Sequence, residues 1–182
     1  MLKESVDFLV QTLAQYLRLT TTQSELTVAA TSVFNSKGEV SFSESLGLSV
    51  VNIGQEQLSP RGVVRTYNST VPTQSPSLSV LVVANPNQSH VDGLFLLEHV
   101  RQCFAKNSVL NRTEHPAMPK GLERVTLAYE NLSLEARYQL WQTLGGSYLP
   151  SLLYNVRVQG FSDNQSVSVV PVPAVPSGQP LG

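Results

Sequence analysis

The run Leu78 to Ala84 constrains this chain more than any other stretch, because it is apolar almost throughout and stops at Asn85-Pro86. A run that short, ended by a turn pair, suits a strand buried on both faces better than an edge strand or a helix. A strand of that kind needs paired strands on both sides and covering layers above and below. The rest of the sequence must therefore supply a sheet and the elements that cover it.

Those elements are legible on either side. Leu2, Val6, Leu9, Leu13, Tyr16 and Leu17 recur in steps of three and four and predict an amphipathic helix from Leu2 to Leu19 that lies on a sheet. Leu26 to Phe34 and Leu46 to Ile53 read as strands, the first ending in the turn cluster Asn35-Ser36-Lys37-Gly38 and the second at Gly54. Val63 to Tyr67, set among prolines, reads as an edge strand or an extended loop. Ser89 caps a second helix that ends near Asn107, with Val91, Leu94, Leu97, Val100 and Phe104 as its apolar stripe. The proline-bearing stretch from Ser108 to Gly121 reads as a connection. Leu122 to Tyr129 is predicted as a strand, and Ser133 as the cap of a helix from Leu134 to Leu144. In that helix Leu134, Tyr138, Trp141 and Leu144 share a face, and Gly145 supplies a left-handed stop. Tyr148 to Val158 resumes strand character, with Leu152, Tyr154, Val156 and Val158 on one side of the pleat.

This order predicts an α+β fold: one mixed, mainly antiparallel sheet with helices packed mainly on one face, occupying residues 1–160. Residues 161–182 change in kind. Ser and Val alternate from Ser166, and Pro171, Pro173, Pro176 and Pro180 follow, so this segment reads as an extended C-terminal arm or a disordered end. The uncovered sheet face and the sheet edges then call for a partner.

Several functional classes are disfavoured. A formal net charge of -1 gives no overall attraction to phosphate backbones, which argues against a nucleic-acid partner. Charged residues make up only 14% of the chain, less than a solitary soluble domain usually carries, which fits surface hidden in an assembly. No apolar run approaches the ~20 residues of a membrane-spanning helix, so no membrane insertion is expected. The N-terminus has no signal-peptide pattern. The Asn-x-Ser/Thr sites at Asn68, Asn87, Asn111, Asn131 and Asn164 therefore read as products of composition. Cys103, the single cysteine, reads as a small buried hydrophobe made in a reducing compartment.

No pattern points to catalysis. His90, His99 and His115 form no zinc-ligand spacing, and neither a nucleophile elbow nor a phosphate-binding glycine loop occurs. No metal or cofactor is expected. The densest aromatic group is Tyr138, Trp141, Tyr148 and Tyr154. Such groups fill cores or anchor interfaces, and Trp141 reads as core while Tyr148 and Tyr154 are open to either role.

Larger blocks carry a resemblance. They are the helix ending in Tyr16-Leu17, the strand from Leu46 to Ile53 followed by Gln55-Glu56, and the strand from Leu78 to Asn85. More specific are Pro116-Ala117-Met118-Pro119, Glu130-Asn131-Leu132-Ser133 leading into Leu140-Trp141, and the run from Leu144 through Gly145, Gly146, Tyr148 and Pro150 to Tyr154, Val156 and Arg157. Over residues 2–160 the chain resembles the N-terminal domain of the cap, or tail-terminator, proteins of extracellular contractile injection systems of the antifeeding-prophage and virulence-cassette type. The resemblance implies a non-catalytic hexameric ring that ends and caps the inner tube and the contractile sheath. It implies assembly in the bacterial cytoplasm as part of a particle that is released or membrane-anchored. An adaptor or baseplate-type module of the same particle is the alternative. Trp141, Gly145, Gly146 and Pro150 are the expected structural motif. The candidate contacts to sheath or sister subunits are Tyr148, Tyr154, Asn155, Val156, Arg157, Val158, Phe161, Val167 and Val169, the later ones on an arm suited to strand addition on a neighbour's sheet.

Overall fold

The structure, a computed structural model, describes residues 1–21, 25–56 and 75–160. In chain order the elements are α1 (Leu2–Thr20), β1 (Val28–Ala30), β2 (Leu46–Glu56), β3 (Ser75–Ala84), α2 (His90–Lys106), β4 (Val109–Asn111), β5 (Leu122–Tyr129), α3 (Leu134–Leu144) and β6 (Ser151–Gly160). The strands form one six-stranded sheet in the order β1-β2-β3-β6-β5-β4. Only β1 and β2 run parallel; every other pairing is antiparallel. This is the mixed, mainly antiparallel α+β architecture expected.

β3 is central, flanked by β2 and β6. Its alternate side chains serve two packing layers. Leu78, Val80, Val82 and Ala84 join the larger core, while Leu81 and Val83 join a smaller one on the opposite face. Burial on both faces is why Val80 to Ala84 has no polar alternation, whereas Ser75, Ser77 and Ser79 alternate with Pro76, Leu78 and Val80 toward the start of the strand. The larger core is closed by α1, through Leu9, Leu13 and Leu17, and by α2, through Leu96, Val100, Cys103 and Phe104. Lys106 Nζ lies 5.5 Å from the centre of the Tyr16 ring and links the two helices. The smaller core contains Val33, Phe42, Leu153 and Trp141 of α3. Two of the three helices thus share one face, and α3 covers part of the other.

Several predicted boundaries shift, each for a local reason. The first strand is limited to Val28–Ala30, because Phe34 instead bridges Val40 across the Asn35–Gly38 turn. The stretch read as a connection contains β4, three residues whose strand character comes from pairing with β5. β6 begins at Ser151, not Tyr148, and the preceding Pro150 accepts a hydrogen bond from Ala84 N at 3.3 Å. The stripe of α2 is rotated: Val91 and Leu94 are exposed, while Gly93, Leu96 and Cys103 face the core. Leu134 and Tyr138 share the predicted face with Trp141 but are exposed, and the α3 side chains packed with Trp141 against the smaller core are Leu140 and Leu144. Val63 to Tyr67, Phe161, Val167 and Val169 lie outside the described residues. Among the described residues no helix is long and apolar enough to cross a membrane.

Candidate functional site

The motif residues meet where α3 turns into β6. Ser133 caps α3, its Oγ accepting from Ala136 N at 3.1 Å, and Gly145 ends the helix at φ 78°. That left-handed φ suits glycine, and the Gly145 amide donates back to Gln142 O. Gly146 is required for a different reason. A Cβ there would lie inside 3.0 Å of three ring atoms of Phe34. The Phe34 ring is held by its own turn, in which Asn35 Oδ1 accepts from Lys37 N at 2.9 Å and Glu39 N at 3.0 Å. Gly38 completes that turn at φ 76°.

The absent side chain of Gly146 lets the Phe34 ring sit close to the turn and reach Trp141. Phe34 and Trp141 pack edge to face at 6.0 Å, and Trp141 packs in the same manner on Tyr148 at 5.7 Å. Trp141 is 3% exposed. Tyr148, in the loop that ends at Pro150, is 55% exposed. Beside it Leu134 and Tyr138 present 83% and 65% of their surface. Together they line a groove of about 540 Å³ whose lining includes Trp141 and, as its one cation among the described residues, Arg137. A second depression of about 310 Å³ lies on the other side of Tyr148, between Pro150 and the start of α2 near His90. Tyr148 is therefore a ridge between two concavities, fixed from below by the Trp141 ring.

The other sequence candidates are placed differently. Tyr154, Val156 and Val158 are buried in the larger core, so their side chains face this chain's interior and not a partner. Tyr154 packs edge to face on Phe104 at 4.9 Å and on Tyr129 at 5.6 Å. Asn155 and Arg157 point to the opposite face of β6; Arg157 is exposed, and Asn155 is half-buried with no partner for its Oδ1 among the described residues. Sequence reasoning named Leu134 only as a member of an apolar face, and Tyr138 also as one of an aromatic group that fills cores or anchors interfaces.

The chemistry of the groove is that of contact. Its walls are aromatic and aliphatic, suited to burying an apolar projection, with Arg137 able to meet an acceptor at the rim. The two thoroughly perturbed groups lie elsewhere: burial pushes the Cys103 thiol up to about 11 and the Tyr154 hydroxyl up to about 12, so both stay neutral near pH 7. The three histidines do not converge. His99 stacks on Phe95 and shares a hydrogen bond with Phe95 O, His115 packs on Phe8, and His90 opens α2. No His/Cys/Asp/Glu group of metal-binding geometry occurs among the described residues.

A family model described as the Pvc16 N-terminal domain matches residues 6–173. Among solved structures, the chain is similar to one titled as the sheath/tube terminator, in its extended state, of the extracellular contractile injection system PVC. The identity is 18% and the TM-score 0.50, with 94% of this chain and 62% of the other covered. It is also similar to the tube-terminating cap of the anti-feeding prophage, at 14% identity and TM-score 0.50, covering 93% of this chain and 59% of that one. At these identities the likeness is one of fold, and the chain spans less than two thirds of either protein. No curated protein sequence matches the chain.

Proposed function

The chain belongs to the Pvc16 N-terminal domain family, and on that premise we propose that it is a structural, non-catalytic terminator of a contractile injection particle. In this role it forms a hexameric ring on the last ring of the tail, caps the inner tube and the sheath, and assembles in the bacterial cytoplasm. The observation that carries the reading is the family match over residues 6–173, supported by the fold it shares with a sheath/tube terminator and a tube-terminating cap.

The physical requirements of the role fit the Tyr148 surface. A stacked tube exposes, at its growing end, a ring of surface that would accept another ring. A terminator must match that surface on one side and offer no copy of it on the other. Contacts repeated around a ring allow each to be modest, because the first contact raises the effective concentration for the rest. We assign the tail-facing contact to the ridge of Tyr148 with Tyr138 and Leu134 beside it; rigid aromatic anchors over a buried ring are the usual makings of a binding hot spot.

The test is assembly. Purified protein is mixed with isolated tube and sheath, and particles are imaged from cells lacking the gene. The expected results are binding to the tail end and, in the deletion, tubes of uncontrolled length or unstable particles. Normal particles without the gene, or no affinity for any tail component, would overturn the proposal. Binding confined to the baseplate end would replace it with the adaptor reading.

A further inference from the structure

The groove beside Tyr148 carries an imbalance of charge that contact between apolar surfaces does not require. Arg137 lines it, and no aspartate or glutamate among the described residues does. Gln142, Gly146 and Ser147 also line a neighbouring depression of about 430 Å³, which adds Lys37 and again no acid. Arg137 is half-buried, yet its guanidinium has no ion pair or hydrogen bond among the described residues, where the ion pairs are Met1 with Glu4 and Arg101 with Glu98. It shares a cavity of about 10 Å³ with the exposed Glu130, space for about one water, but the two do not pair. In the turn that carries Lys37, the Glu39 carboxylate accepts from Asn35 Nδ2 at 3.1 Å. Trp141 is a second donor in the groove's lining, and its buried Nε1 has no acceptor among the described residues.

We propose that this groove takes a protein segment in which an apolar side chain is flanked by carboxylates, Arg137 receiving one carboxylate and Lys37 meeting a second. The inference rests on the assignment of the Tyr148 surface to the tail, and it names the chemistry that the tail must present there. A half-buried guanidinium has already lost part of its hydration, and a carboxylate returns what was lost through charge-assisted, two-pronged hydrogen bonds. The apolar side chain between the carboxylates drives water from the exposed surfaces of Leu134, Tyr138 and Tyr148. Expelling that water lowers the local dielectric, which strengthens the ion pair beside it.

Other occupants fit less well. A basic segment meets two cations and no acid. A wholly apolar one buries Arg137 further while giving it nothing to bind, a cost that rises as water leaves. A small free anion can reach Arg137 but leaves the aromatic surfaces wet. The second depression beside Tyr148, whose lining holds no aspartate, glutamate, lysine or arginine, makes no such demand. The preference for an acidic partner therefore belongs to one side of the Tyr148 ridge.

Trp141 is the chain's only tryptophan, so its fluorescence reports occupation of the groove in the full chain. The probes are the capped tripeptide acetyl-Asp-Leu-Asp-amide, its neutral twin acetyl-Asn-Leu-Asn-amide, acetyl-Asp-Ser-Asp-amide and inorganic phosphate. The acidic leucine peptide is expected to give a saturable change and to bind roughly tenfold tighter than each of the others. That preference should shrink as salt rises from about 20 to about 200 mM, and it should be lost in Arg137→Gln, weakened in Lys37→Gln and largely kept in Arg137→Lys. Equal affinity for the acidic and neutral peptides would overturn the proposal, as would an equal response to phosphate or a preference that salt and a normally melting Arg137→Gln both leave intact. No response to any probe would do the same. Co-sedimentation with isolated tube and sheath separates this result from the capping reading. Peptide discrimination without tail binding supports the acidic-segment site and removes the terminator role; tail binding without discrimination overturns the site and leaves that role standing.

Discussion

Gly145 and Gly146 are adjacent, yet their replacement by alanine is expected to fail for separable reasons, and the separation can be measured. At Gly145 an added methyl group meets nothing within 4 Å, but φ is 78°. The cost is that of holding an L-residue in left-handed backbone, about 1–2 kcal/mol. At Gly146 the backbone is not in that region, and the new Cβ would overlap Cζ, Cε1 and Cε2 of Phe34. Overpacking of this kind costs about 1–3 kcal/mol. A loss of about 2 kcal/mol corresponds to a fall of roughly 4–8 °C in Tm for a chain of this size. The three overlapped atoms are those that leucine lacks, so Phe34→Leu should relieve Gly146→Ala and leave Gly145→Ala unrelieved. Phe34→Leu alone gives up an edge-to-face pair with Trp141 worth about 0.5–1.5 kcal/mol beyond lost area. The assay is a double-mutant cycle by urea denaturation at constant m. The expected coupling is about 1 kcal/mol or more for Phe34 with Gly146 and near zero for Phe34 with Gly145. Gly146→Ala costing as much in the Phe34→Leu background as in the native chain would refute the argument that ring contact explains this glycine.

Trp141→Ala should cost about 3–5 kcal/mol in denaturation, whereas Trp141→Phe should cost clearly less, since its buried Nε1 has no hydrogen-bond partner to lose among the described residues. Tyr148→Ala and Tyr138→Ala, both at exposed positions, should each change stability by less than about 1 kcal/mol. Together they should weaken binding to isolated tube or sheath at least tenfold, read by co-sedimentation. Tyr154 and Cys103 set an alkaline limit: each has its folded value raised by burial, to about 12 from 10.0 and to about 11 from 9.0. Their stabilisation is therefore complete below pH 9 and lost as pH rises through these windows, because the unfolded chain releases its protons first. Melting followed from pH 8 to pH 12 should show the decline, and Tyr154→Phe should shallow it above pH 10.

What could be read from sequence alone was whatever is specified locally. The helix from Leu134 to Leu144 carries its own cap in Ser133 and its own stop in Gly145, and both its ends were legible. The run at β3 announced two-sided burial because its five consecutive positions from Val80 to Ala84 are all apolar. α2 was less legible because it is apolar on more than one side: Val91, Leu94 and Phe95 compete with Leu96, Val100 and Phe104 for the inner face, and only packing on β3 and α1 decides. β4 owes its existence to β5 and has no signal of its own. At the candidate site, pleat alternation grouped Tyr154 with Val156 and Val158 correctly, but alternation does not say which side is inside. The structure turns that side toward α2 and leaves Tyr148, just before the strand, as the exposed aromatic.

The sheet joins two sequence-separated halves. β1, β2 and β3 come from the first 84 residues, β4, β5 and β6 from residues 109–160, and among the described residues β3 against β6 is their only strand-to-strand seam. During synthesis, the inner rim of β3 stays unmatched until almost the whole domain has left the ribosome. The most apolar segment of the chain is thus the last to gain its second neighbour, and a nascent chain stalled before Ser151 should bind holdase chaperones that one released after Gly160 escapes. In the ring role proposed above, a subunit built this way would become competent all at once, and no half-made copy would enter the assembly.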